Sequence, residues 1–119
     1  MKKVLLLAIT LLLVNGCAVQ APQPTRTGPG VLLMAQADEL AANGEHSQAI
    51  ALLERAVRIE PRNGHAWLRL ARLHVASGDL NKAQQFARRA MQFAGTEKML
   101  KRACQELLDN VSQQLKKPG

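Results

Sequence analysis

The sequence contains no tyrosine, one tryptophan and two phenylalanines, so aromatic residues make up 3% of its 119 positions. A core with so few rings has to be built from Leu, Ala, Val and Ile. That suits closely packed helices better than a β-sandwich. The same scarcity removes the interleaved basic and aromatic residues on which single-stranded nucleic acid would stack. Chemistry is equally thin. There is no Gly-rich phosphate loop, no nucleophile with a nearby base, and no pair of carboxylates on one helix face. His46, His65 and His74 have no metal-ligand spacing to one another or to a cysteine. An enzyme, a cofactor, a metal site and a small-molecule substrate are therefore not expected. The apolar run at residues 4–14 falls short of the roughly 20 residues a membrane-spanning helix needs. Only two cysteines are present, Cys17 and Cys104, in surroundings so different that a disulfide between them is not expected.

What is present begins with charge and a leader. Sixteen basic and nine acidic side chains give +7 and a pI near 10.1. Lys2 and Lys3 fall in a segment expected to be removed, which leaves +5, too mild to imply nucleic acid. Met1-Lys2-Lys3 followed by the apolar run is the layout of a secretory signal peptide. The run ends in Leu13-Val14-Asn15-Gly16-Cys17, which resembles the lipobox of bacterial lipoproteins. Gly16 and Val14 match that pattern, and Asn15 departs from its usual small or hydroxyl residue. The resemblance implies cleavage before Cys17, diacylglycerol on its thiol and a further acyl chain on the new amino terminus. Residues 1–16 are then a lipoprotein signal peptide. Ala18 in place of Asp implies the outer membrane, facing the periplasm. Residues 17–29, with Pro22, Pro24 and Pro29, read as an extended tether. It reaches at most about 40 Å.

From Gly30 onward one pattern is written twice, 34 residues apart. Gly30 pairs with Gly64, Leu33 with Trp67, Ala37 with Ala71, Gly44 with Gly78, Ala49 with Ala83, Leu52 with Phe86, and Ala56 with Ala90. Such a period marks a helical repeat. Apolar residues at helical spacing predict a helix over residues 31–42, stopped by Asn43-Gly44. Ser47 is the expected cap of a second helix, 48–59, which Pro61 ends. The second unit predicts helices over 65–76 and 82–93, with Asn81 as the later cap. A fifth helix, 96–115, starts at Thr96 and carries the stripe Leu100, Cys104, Leu107, Val111 and Leu115. Its other face is wet, as a terminal capping helix requires, and residues 116–119 are a tail.

These residues resemble the tetratricopeptide repeat family. Its pattern is met by Leu33, Ala37, Gly44, Ala49, Ala56 and Pro61, then by Trp67, Ala71, Gly78, Ala83 and Ala90. Gly95 stands where the second proline would be, and Leu40 and His74 occupy a position that is often tyrosine. The resemblance implies an all-α fold, a short α-solenoid of two helix-turn-helix repeats (30–63 and 64–95) closed by the capping helix. His74 is then expected to be packed and hydrogen-bonded, Cys104 a buried inert thiol, and Trp67 part of the repeat core.

The resemblance also implies a concave groove lined by the first helix of each pair. It would carry Met34 and Asp38 from the first unit, and His65, Leu68, Arg69 and Arg72 from the second. Counting the last helix as a third first helix from Glu97 adds Lys98, Lys101 and Arg102. Lys98 and Arg102 match two positions of the carboxylate clamp known in the family, whereas Met34, Asp38 and Arg69 do not match the others. The expected ligand is an acidic or carboxylate-ended segment of a protein partner, with solvated helix faces as the plain alternative. Small lipidated repeat proteins of this shape resemble the Lpo-type activators of class A penicillin-binding proteins, and also pilotins that assist secretion or pilus assembly. A periplasmic adaptor or activator of a peptidoglycan synthase is the resulting expectation. A pilotin, or a structural lipoprotein whose basic face contacts cell-wall polymer, stands beside it.

Overall fold

The computed structural model describes residues 28–118, in which five helices follow one another and no strand occurs. They are α1 (Pro29–Ala42), α2 (His46–Ile59), α3 (Gly64–Ala76), α4 (Leu80–Gln92) and α5 (Lys98–Lys116). The expected signal peptide, Cys17 and nearly all of the tether lie outside the described residues. The architecture is an all-α stack: α1/α2 and α3/α4 are the two repeats, and α5 closes the far end.

The two repeats turn by the same chemistry. After α1, the Gly44 N–H donates to the Ala41 carbonyl and the Glu45 N–H to Leu40, at 3.1 and 2.9 Å. After α3, Gly78 donates to Val75 and Asp79 to His74, at 3.0 and 2.9 Å. Both pairs are Schellman closures, and both need a left-handed residue. Gly44 and Gly78 supply it with φ of 80° and 79°.

The closures also correct the expected caps. Glu45 and Asp79, the residues that complete each turn, are already the N-caps of the next helix, so no linking residue remains. The Asp79 side chain accepts from the Lys82 N–H, while Glu45 instead accepts from the Gln48 side chain. Ser47 and Asn81 lie one turn-residue inside their helices rather than capping them. At α5 the N-cap is Glu97, not Thr96, with no side-chain cap bond. At α3 the cap is Asn63, whose Oδ1 accepts from the His65 and Ala66 N–H groups.

The core explains the small residues. Ala37, Ala49, Ala56, Ala71, Ala83 and Ala90 are each at most 1% exposed. Alanine there lets helix backbones approach closely, and Leu53 and Leu70 fill the space between them. Burying each such leucine contributes about 2 kcal/mol. One cluster joins α1, α2 and α3; a second joins Leu68 of α3 to Ala90, Ala94, Leu100 and Cys104. Trp67 bridges them, half-buried, with its Nε1 donating to the Pro61 carbonyl at 2.7 Å and its ring 5.7 Å from that of Phe86. Leu107 is only partly covered and Leu115 is 41% exposed, because α5 runs on past the helices it packs against.

His74 is buried as expected, but the expected hydrogen bond is missing at one nitrogen. Its Nε2 has no partner among the described residues, and its ring lies 5.2 Å from that of Phe86. Burial holds its pKa below the ordinary histidine value, against weaker opposing pulls from Asp79 and Glu54. Cys104 is fully buried and free, and burial pushes its thiol pKa up.

A candidate partner-binding groove

The first helices of the units, α1, α3 and α5, stand side by side and leave a cavity of about 450 Å³ between them. On α3, His65, Leu68, Arg69 and Arg72 share a face because three- and four-residue steps stack side chains on a helix. Asp38 with Ala37 and Ala41 forms the α1 wall. Met99, Leu100 and Ala103 form the α5 wall. Leu53 and Leu73 close the floor beside Leu68.

Two cross-helix pairs hold the walls. Arg69 Nε lies 3.0 and 3.1 Å from the two carboxylate oxygens of Asp38, which joins α3 to α1. The same guanidinium covers Met34, with Nη1 3.7 Å from its sulfur. His65 Nε2 lies 2.8 Å from Glu97 Oε2, which joins α3 to the start of α5. Both pairs are part-exposed, so each contributes at most about 1 kcal/mol to stability. Their larger effect is on the groove: the Arg69 guanidinium is already engaged with a carboxylate, and the His65 ring with another. Arg72 is exposed and is in no ion pair among the described residues. It is near enough to the buried Cys104 thiol to offset part of the burial effect there.

Of the nine expected groove residues, Asp38, His65, Leu68, Arg69 and Arg72 are brought together. Met34 is instead buried beneath Arg69. Lys98, Lys101 and Arg102 are exposed and do not line the cavity. For Lys98 and Lys101 the reason is register; Arg102 falls where Leu68 stands in the second repeat, yet it is exposed and lies outside the lining. The full 34-residue step from Gly64 lands on Lys98, not Glu97, and that count puts Met99 and Ala103 where His65 and Arg69 stand in the second repeat. It also puts Leu100 and Cys104 where Ala66 and Leu70 are buried. The groove is therefore less basic and more apolar than the sequence reading had it. Met99, 74% exposed at its rim, is the feature that reading missed, and a strict count of the period would have found it.

Among the described residues no group of three or more His, Cys, Asp or Glu side chains is placed to hold a metal ion. No described helix is long and apolar enough to cross a membrane.

Residues 40–107, more than half of the chain, match the family model of the tetratricopeptide repeat. No curated protein matches. Among solved structures, the globular C-terminal domain of LpoP from P. aeruginosa is similar, with 34% sequence identity and a TM-score of 0.70. That likeness covers 72% of this chain and 81% of the LpoP domain. It meets the Lpo-type resemblance drawn from the sequence. Helix order, the doubled turn chemistry and these matches agree: the chain belongs to the tetratricopeptide repeat family, whose fold presents a protein-interaction surface.

Proposed function

We propose that this protein is a lipid-anchored adaptor of the cell envelope, held at the outer membrane's periplasmic side through Cys17, whose repeats dock and activate a peptidoglycan synthase. It acts by binding, with no catalytic step of its own. The observation that carries the docking is the groove between α1, α3 and α5. There Arg72, in no ion pair among the described residues, stands beside apolar lining from Leu68, Leu73 and Leu100. An arginine next to apolar area donates forked hydrogen bonds to a carboxylate while neighbouring side chains bury the segment that carries it. The likeness to the LpoP domain supports the envelope setting and the choice of a class A penicillin-binding protein as partner.

Crosslinking of the whole chain in intact cells, followed by purification and peptide mass analysis, tests the reading. The expected result is a class A penicillin-binding protein crosslinked at groove residues, with diacylglycerol and acyl mass on the Cys17 peptide. A secretin or pilus component at the same residues would replace the synthase reading with the pilotin one. An unmodified Cys17 would remove the anchor.

A further inference from the structure

The N-terminal end of the stack carries an apolar corner that the groove does not use. In the second repeat, Ala66, Leu70 and Leu73 are buried against the unit before them. The matching residues of the first repeat are Leu32, Gln36 and Glu39, all exposed. Gln36 and Glu39 make that end wet, as the outer face of a terminal repeat should be. Leu32 does not: it is 56% exposed, beside Val31 at 40%. Ile59, at the end of α2, is 44% exposed. The Gly30 N–H donates to Glu60 Oε1 at 3.2 Å, which ties the first turn of α1, next to Val31 and Leu32, to the residue after Ile59 at the end of α2. Arg58 and Arg62 flank Ile59 in sequence, both exposed and in no ion pair among the described residues.

We propose that this corner rests on an anionic lipid surface. The chain enters the fold here, at Gly28, and Cys17 is 11 residues earlier, a reach of at most about 40 Å. An anchor at Cys17, on which this proposal rests, therefore delivers this corner to the bilayer before any other part of the fold. Three aliphatic side chains enter the headgroup boundary, and each arginine near anionic headgroups adds roughly fivefold to binding. So small a patch would not hold alone. The tether makes the contact intramolecular, and a weak contact at high effective concentration is populated.

The test uses the whole lipidated chain in vesicles of phosphatidylglycerol and phosphatidylcholine, with an environment-sensitive dye on Leu32→Cys or, as the distant control, Leu115→Cys. Cys104 is buried and stays unlabelled, and unchanged thermal melting shows that each variant is folded. Flotation of the vesicles reads the anchor separately. The expected result is flotation of both proteins, with blue-shifted emission at position 32 only and loss of that shift in Arg58→Glu/Arg62→Glu. Flotation without a shift at position 32 overturns the corner proposal and leaves the anchor standing; failure to float overturns both. Equal shifts at both positions overturn it too. So does a shift at position 32 without vesicles, which would mean that a second copy or the chain's own leading segment covers the corner.

Discussion

Gly30 and Gly64 occupy the same place in the two repeats, yet a methyl group at each meets opposite surroundings. At Gly64 an added Cβ would sit 3.0 Å from Leu100 Cδ2, 3.1 Å from the Ala90 carbonyl oxygen and 3.2 Å from that of Phe93. Two of these are backbone atoms at the end of α4, which cannot step aside without moving the helix. At Gly30 the Cβ would meet only the carboxyl end of Glu60, at 2.5 Å. That side chain is flexible and can swing away. Replacing glycine by alanine in a helix stabilises by up to about 1 kcal/mol. Overpacking against fixed atoms costs about 1–3 kcal/mol. Gly64→Ala should therefore lose about 1 kcal/mol net, a fall in Tm of roughly 4–8 °C for a domain this size. Gly30→Ala gives up the Glu60 hydrogen bond, worth about 1 kcal/mol, and gains helix propensity, so it should stay near the parent. Thermal unfolding followed by circular dichroism separates them. A Gly64→Ala protein as stable as the parent would show that α3 and α4 are not packed as closely as described.

Three further outcomes follow from buried and bridging groups. Because burial lowers the His74 pKa, the proton binds the unfolded chain more readily. Stability from this residue is complete above the ordinary histidine value near 6.5 and falls as pH drops below it, until the folded form is protonated too. Urea titrations from pH 7.5 to 5 should show a shallower fall in His74→Leu, which carries the residue of the matching position, Leu40. Cys104, fully buried with its pKa pushed up, should react with an aqueous thiol reagent only on unfolding; rapid native labelling would contradict its place in the core. Asp38→Asn, which removes one side of a part-exposed pair, should lower stability by less than about 1 kcal/mol in denaturant titration.

Much of the fold was legible because the repeat constrains each position twice. Ala37 and Ala71, Ala49 and Ala83, and Ala56 and Ala90 are buried pairwise, and Gly44 and Gly78 share a φ within a degree. A small residue at one position is weak evidence of close packing; the same residue 34 positions later is strong. Caps were less legible. Ser47, Asn81 and Thr96 have good capping chemistry, but the Schellman turn consumes Glu45 and Asp79 as caps before Ser47 and Asn81 are reached. Cap propensity cannot see that geometry. The groove was half legible. The α3 face followed from helical spacing, whereas the α5 face was displaced by one residue, and one residue turns a helix by about 100°. That rotation takes Lys98 and Lys101 out of the groove positions and puts Met99 and Ala103 where His65 and Arg69 stand, with Leu100 lining the cavity beside them. The Arg69–Asp38 and His65–Glu97 pairs could not be read at all, since each links residues more than 30 apart through side-chain geometry.

The central claim is that Arg72 and the apolar floor beside it dock a carboxylate-bearing segment of a partner protein. The direct measurement is the affinity of the purified chain for the class A penicillin-binding protein of the same cell, by calorimetry, across three variants. Arg72→Glu should weaken binding by about tenfold or more. Asp38→Asn, which releases Arg69 into the groove, should tighten it, and Arg88→Glu, exposed on α4 outside the groove, should leave it unchanged. Equal affinity for the parent and Arg72→Glu would contradict the claim.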